Sequence, residues 1–235
     1  MHQASGNQHH ATCNLQLATS KMTNIQLKIS PEAVVLADGS FPTHPVPLAC
    51  LRKSYHIICC DGSAESLVAE GMEPEAIVGD LDSLNTLIAE RFSDRLFRDA
   101  EQETNDLTKA VRWCINKRYK EIVILGATGK REDHTVGNIS LLTEYAREIK
   151  VSMITDTGTF TPLLKSSVVR SFPGQQVSIF SINPETEITS TGLKYPLNKR
   201  KLNNWWEATL NEAETGSIEL SFSEGPVIVY QKFRE

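Results

Sequence analysis

The chain has 235 residues, of which 40% are hydrophobic and 23% charged, which is ordinary globular usage and excludes wholesale disorder. A chain of this length buries a sizeable core without a disulfide or metal staple. Lys and Arg number 24 against 29 Asp and Glu, and the net charge of −5 argues against a general nucleic-acid or anionic-membrane binder. An anionic small ligand stays open, because a bound metal reverses local charge. No run reaches the ~18 apolar residues of a membrane span.

Residues 1–22 are polar, with His2, His9 and His10 but no apolar centre, and read as a disordered leader or non-native remnant. Five cysteines, at 13, 50, 59, 60 and 114, show no C-x-x-C spacing. They read as buried or unpaired thiols of a reducing, cytoplasmic compartment.

From residue 23 to about 156, short apolar runs alternate with amphipathic stretches. Strands are expected at 33–37, 55–60, 76–78, 121–125 and 150–155, and helices near 62–71, 83–92, 105–118 and 134–148. The clearest helix carries Leu107, Ala110, Val111, Cys114 and Ile115 on one stripe, with Thr104 or Asn105 as N-cap. A second stripe runs through Val136, Ile139, Thr143 and Ala146. Strands alternating with helices predict a layered α/β domain with a parallel sheet over 23–156. After 156 the helical period disappears. Short β-rich runs at 160–164, 168–172, 176–182, 187–191, 216–222 and 226–231, broken by Pro and Gly, predict an all-β sandwich or barrel over 157–235.

Buried strands end in acidic or glycine residues: Asp61-Gly62, Gly79-Asp80 and Gly126. In an open parallel sheet the ligand crevice lies outside the carboxyl ends of the strands, so these segments share one rim. Asp80 and Asp82, two residues apart on a turn, suit one hard cation such as magnesium; the plain alternative is a helix start capped by Asp82. Asp61 and Asp106 favour the cation, because crowded unpaired carboxylates repel. Asp106 alone reads as a first-turn residue facing the helix dipole. Residues 126–134 follow a strand and open a helix, with two glycines, Lys130 and Arg131 facing an anion. They match neither a Walker A loop nor G-x-G-x-x-G. Arg131 reads alternatively as an ion pair with Glu132 or Asp133, His134 as a helix-start residue, and Gln102 and Lys109 as solvated side chains.

Taken together, Asp61-Gly62-Ser63-Ala64, Gly79-Asp80-Leu81-Asp82-Ser83, Gln102 through Lys109, Leu125 through Thr135, Gly137-Asn138, Gly192 through Leu197 and Thr209 through Glu212 resemble, in order, the thiamine pyrophosphokinase family. The resemblance implies a Rossmann-like α/β catalytic domain followed by a β-sandwich that helps bind thiamine, in a homodimer with active sites at the subunit junction. It implies transfer of a pyrophosphoryl group from ATP to thiamine, giving thiamine diphosphate and AMP with Mg2+ as cofactor. Asp80, Asp82 and Asp106 match the metal carboxylates, with Asp61 beside them; Asp61, Asp82, Asp106 and Arg131 are the catalytic candidates. Gln102, Lys109, Arg131, Asp133 and His134 match positions around the nucleotide, and Tyr195, Thr209 and Asn211 the thiamine side. Trp206 is added as a ring face for the thiazolium cation, against packing in the sandwich core. Glu65 stands where the family usually has Asn. Other readings are a magnesium-dependent Asp-x-Asp nucleotide-sugar transferase, an aspartyl phosphatase and a non-catalytic thiamine- or nucleotide-binding module.

Overall fold

A computed structural model describes residues 23–25 and 30–234. The leader expected at 1–22, with its histidines and Cys13, lies outside the described residues. A ten-stranded sheet runs through the molecule. Six of its strands are mutually parallel: β2 (Ala33–Leu36), β3 (Ile57–Cys60), β4 (Ala76–Gly79), β5 (Leu96–Arg98), β6 (Glu121–Leu125) and β7 (Lys150–Ile154). The sheet continues through β8 (Gly158–Leu163), β14 (Val227–Lys232), β10 (Gln176–Ser181) and β12 (Asn211–Glu212), all antiparallel to their neighbours. The order is β12-β10-β14-β8-β7-β6-β2-β3-β4-β5. A separate four-stranded sheet orders β1 (Thr23–Ile25), β9 (Ser167–Arg170), β13 (Ser217–Phe222) and β11 (Ile188–Thr191). The C-terminal part is therefore β-rich, as expected, and β1 pairs with it through β9.

Alternation along β2 explains its unbroken apolar run. Ala33 and Val35 face a core shared with α4 (Asp106–Asn116) and α5 (Glu132–Tyr145). Val34 and Leu36 face the other core, with α1 (Pro45–Lys53) and α2 (Ser63–Ala69). Both faces of the sheet are covered, so every side chain on the strand is buried. A third core, from Leu163 and Val177 to Ile218 and Val229, fills the space between the two sheets.

Helix α4 starts as its N-cap predicts: the Asn105 side chain accepts the Thr108 N–H at 2.9 Å. The helix expected at 83–92 begins later, as α3 (Thr86–Arg91), because Asn85 accepts the Leu87 N–H at 2.9 Å and caps it. Asp82 is thereby left in the preceding loop rather than at a helix start. The stripe expected on α5 holds in part: Thr143 is buried and Ile139 and Ala146 pack against the core, whereas Val136 is exposed and Asn138, Leu142 and Tyr145 complete the buried face. Helix α1 escaped the periodic reading because prolines occupy its first turn, where the missing N–H has no partner to lose. The described cysteines Cys50, Cys59, Cys60 and Cys114 are all buried free thiols, and burial pushes Cys50, Cys59 and Cys114 up to about 12.

Candidate active site

From β2 the chain proceeds outward through β3, β4 and β5, then returns to the other side of β2 as β6 and β7. The switch point lies between β2 and β6, where a parallel sheet opens a crevice. Register levels the strand ends there: Leu36 pairs with Cys59 and Leu125, and Cys60 with Val78. The residues that follow, Asp38, Asp61, Asp80 and Gly126, therefore meet on one rim. A cavity of about 310 Å³ occupies it, lined among others by Asp38, Asp61, Asp106, Lys130, Arg131 and His134.

Asp61 leaves β3 with φ 37°, a value aspartate tolerates better than most residues. Its Oδ2 accepts the Ser83 hydroxyl at 2.7 Å, while its Oδ1 is buried without a partner. Burial pushes its pKa up against the Ser83 bonds, and the charges of Asp106 and Asp80 push the same way. Leu81, at φ 62°, turns the chain sharply between Asp80 and Asp82. Such a backbone is strained for leucine and persists only where the surroundings enforce it. The outcome is that oxygens of Asp61, Asp80 and Asp82 lie within 4.8 Å of one another. The Asp82 N–H bonds Asp80 Oδ1 at 3.3 Å and holds that carboxyl below its usual range, with Gln102 adding a 3.5 Å contact.

Asp106 reaches the same cavity from the first turn of α4. A Cβ on Gly79 would lie 3.1 Å from Asp106 Oδ1 and 3.1 Å from Asp61 Cβ, so only glycine lets the two aspartates approach across β4. Asp106 Oδ1 accepts the buried Lys109 ammonium at 3.1 Å. Burial opposes the charge on Lys109, but Asp106, Asp80 and Asp99 outweigh it and hold its pKa above the ordinary value. The expected metal carboxylates Asp80, Asp82 and Asp106 are thus gathered on one rim. The tight trio, however, is Asp61, Asp80 and Asp82, and Asp106 carries the lysine.

The trio is an all-oxygen donor set, and the partnerless Asp61 oxygen sits in it. Both features fit a hard divalent cation such as Mg2+.

On the opposite wall, Gly126 at φ 63° turns the chain out of β6, and a Cβ there would lie 2.7 Å from the Ala37 carbonyl. Asn138 donates to the Ala127 carbonyl at 2.9 Å and accepts from Asn105 at 3.2 Å, tying this loop to the start of α4. Arg131 forks onto Asp133, with bonds of 3.1 and 2.5 Å, and lowers that carboxyl to about 2. Both side chains are mostly exposed. His134 lines the cavity, and its N–H bonds Asp133 at 2.9 Å.

Asp38 was absent from the sequence candidates although it bears the same signal as Asp61: an Asp-Gly pair directly after a buried strand. It accepts Lys130 at 2.9 Å across the cavity. Glu65 accepts the Asn85 N–H at 3.2 Å, which ties it to the segment before α3.

The thiamine-side candidates lie apart from this cavity. Tyr195 and Trp206 are 62% and 72% exposed. Asn211 is buried and holds the Tyr195 backbone through its amide, at 3.1 and 2.8 Å. Thr209 donates its hydroxyl to the Trp206 carbonyl at 2.8 Å. Trp205, passed over in the sequence, packs edge-on against Phe180 at 5.8 Å.

The family described as "Thiamin pyrophosphokinase, catalytic domain" matches residues 49–153, and "Thiamin pyrophosphokinase, substrate-binding domain" matches 158–230. A protein of Bacillus subtilis named thiamine pyrophosphokinase is 30% identical over 155 residues, covering 59% of this chain and 68% of its own. The crystal structure of a thiamin pyrophosphokinase from Geobacillus thermodenitrificans superposes with TM-score 0.71 at 25% identity, covering 86% of this chain and 98% of that one. The thiamin pyrophosphokinase of Candida albicans shares the fold, with TM-score 0.75 at 17% identity over 91% of this chain and 93% of its own. The chain belongs to the thiamine pyrophosphokinase family.

Proposed function

We propose that this chain transfers the pyrophosphoryl group of ATP to the hydroxyethyl oxygen of thiamine, giving thiamine diphosphate and AMP. The observation that carries this reading is the trio Asp61, Asp80 and Asp82, with oxygens within 4.8 Å, facing a glycine loop and Lys130 across the switch point. A carboxylate cluster beside a glycine loop that carries Lys130 and Arg131 suits a metal-bound polyphosphate. Asp61, Asp80 and Asp82 would hold Mg2+, with Asp106 beside them. When bound, the cation draws charge off the phosphate oxygens.

The protein's own contribution is positioning and charge. Lys130, Arg131 and the backbone of 126–129 take the phosphates. Lys109, fixed by Asp106, supplies a positive charge beside the carboxylates. Thiamine's oxygen bonds to the β-phosphorus and its hydroxyl proton departs. The bond from that phosphorus to the α–β bridging oxygen breaks, and AMP leaves with that oxygen.

The parallel strands, with helices on both faces and a switch at β2/β6, read as a Rossmann-like catalytic unit over 23–156, except that β1 at its start pairs into the second sheet. Over 157–235 the two facing sheets read as the thiamine-side sandwich. Tyr195, Trp206 and Leu210 are 62%, 72% and 83% exposed, and none lines the cavity that holds the aspartates. We read them as the surface that meets a second copy and completes the site in a homodimer. Among the described residues no helix is long and apolar enough to cross a membrane; the buried free cysteines support a cytoplasmic setting.

Incubation of the protein with ATP, thiamine and Mg2+ tests the reading. One AMP is expected for each thiamine diphosphate formed. ADP as the nucleotide product would mean γ-phosphoryl transfer, and binding without turnover would mean a non-catalytic module.

A further inference from the structure

At the end of the parallel strands opposite the carboxylate rim, a cavity of about 440 Å³ opens between the ends of α4 and α5 and the strands β7 and β8. Strand pairing explains the gap. β7 and β8 are joined only at Met153↔Phe160 and Ile154↔Thr159. The Thr155 N–H donates to the Gly158 carbonyl at 2.9 Å, so every second residue back from Thr155 faces β8. Continued, that register would set Val151 against Pro162, which has no N–H to give. The ladder stops short of them, while β8 stays paired with β14 as far as Leu163↔Val227. The two strands part around a wedge.

The wedge is apolar within and cationic at its mouth. Ile115, Ile149, Val151, Pro162 and Leu164 line it, and Leu164 is 45% exposed. Arg118, Lys120, Arg147 and Lys150 reach it with exposed side chains, against one lining carboxylate, Glu148. Lys150 is paired with Glu121 at 2.8 Å, but Arg118, Lys120 and Arg147 join no ion pair among the described residues. These cations gather on a chain whose net charge is −5. A cation beyond a helix end answers the helix dipole, which accounts for Arg118 and Arg147. Lys120 and Lys150 stand at the starts of strands and have no such cause. Arg118 also closes α4 at φ 66°, with the Tyr119 N–H on the Cys114 carbonyl at 3.2 Å, where glycine is the usual residue. A charged side chain is kept there against backbone strain.

We propose that this wedge is a second binding site, taking a small molecule with an apolar body and an anionic head. The body enters between β7 and β8, and the head meets Arg118, Lys120 and Arg147. The volume falls within the range of small-molecule sites. Guanidinium groups suit a carboxylate, sulfonate or phosphate head, and the long stems of all three cations add apolar surface beneath it. No residue lines both this cavity and the one that holds the aspartates. Helix α4 spans the two, with Asp106 at its start and Ile115 about 14 Å further along its axis.

The test uses 1-anilinonaphthalene-8-sulfonate, an apolar ring system with one anionic head whose fluorescence rises on burial. Arg118→Gly removes a cation and relieves the positive φ, so its thermal melt should hold or rise. Its affinity for the probe is expected to fall by about three- to tenfold. Leu164→Asp, at an exposed position, sets a carboxylate in the wall and should weaken the probe by about tenfold or more. Neutral N-phenyl-1-naphthylamine, with the same rings and no sulfonate, should bind Arg118→Gly and the unaltered protein alike. Affinity for inorganic tripolyphosphate should be unchanged in both variants. Probe affinity unaltered by either substitution overturns the proposal, as does failure of the unaltered protein to bind the probe. Equal weakening of the neutral amine by Arg118→Gly overturns the anionic head.

Discussion

Replacing Asp61 by Asn should make the metal-free protein more stable while removing its response to magnesium. Asp61 is 4% exposed, and its Oδ1 has no hydrogen-bond partner. Its neighbours Asp80 and Asp82 offer oxygens within 4.8 Å. Two unit charges at that separation repel by between about 1 and about 3.5 kcal/mol, depending on how far water screens them. The amide keeps an acceptor for the Ser83 hydroxyl, so the 2.7 Å bond survives while the charge goes. For a chain of this size that corresponds to a melting temperature higher by roughly 3 to 10 °C in chelator.

The pH dependence follows from the same cause. Burial raises the folded pKa of Asp61 above its unfolded value. Stability tied to its protonated form is complete below the ordinary aspartate range and declines as pH rises through the raised value. The advantage of Asp61→Asn should therefore appear at neutral pH and vanish in acid. Adding Mg2+ stabilises the unaltered protein by mass action and should leave the variant's melt unmoved. Thermal melts of both proteins, with chelator and with Mg2+, at neutral and acid pH, read all of this. A variant less stable in chelator, or equally stabilised by Mg2+, would refute the reasoning.

Three further outcomes are expected. Asp82→Asn should remove most AMP formation while leaving circular dichroism and the melt near normal, since Asp82 is exposed and caps no helix. Gly79→Ala should lower activity and cost about 1–3 kcal/mol in denaturant unfolding, because its methyl group meets Asp106 and Asp61 at 3.1 Å. If the proposed homodimer forms through this surface, Leu210→Asp should shift it to monomer in sedimentation and abolish turnover with the carboxylate site intact.

Much of the fold was legible because the parallel strands are buried on both faces and read as unbroken apolar runs between amphipathic helices. What escaped had a local cause. The start of α1 is made of prolines, which carry no periodic signal. On α5 the buried face includes Asn138, a polar residue held by Asn105 and the Ala127 carbonyl, so hydrophobic spacing found Ile139 and Thr143 but missed Asn138 and took in the exposed Val136. The acidic rim was visible as Asp-Gly and Gly-Asp pairs after strands, yet which aspartates meet depends on register and on the left-handed Leu81. The family resemblance, not the spacing, put Asp106 in the metal set and left Asp61 beside it. The wedge beside β7 was hidden altogether, because it depends on how far β7 and β8 pair.

In the proposed site Asp61, Asp80 and Asp82 together grip one divalent cation on a nucleotide. Anomalous diffraction from crystals grown with Mn2+ and a non-hydrolysable ATP analogue measures this directly. A manganese peak bonded to oxygens of at least two of these three aspartates and to the nucleotide's phosphates is expected. A bound nucleotide whose manganese touches none of the three would contradict it.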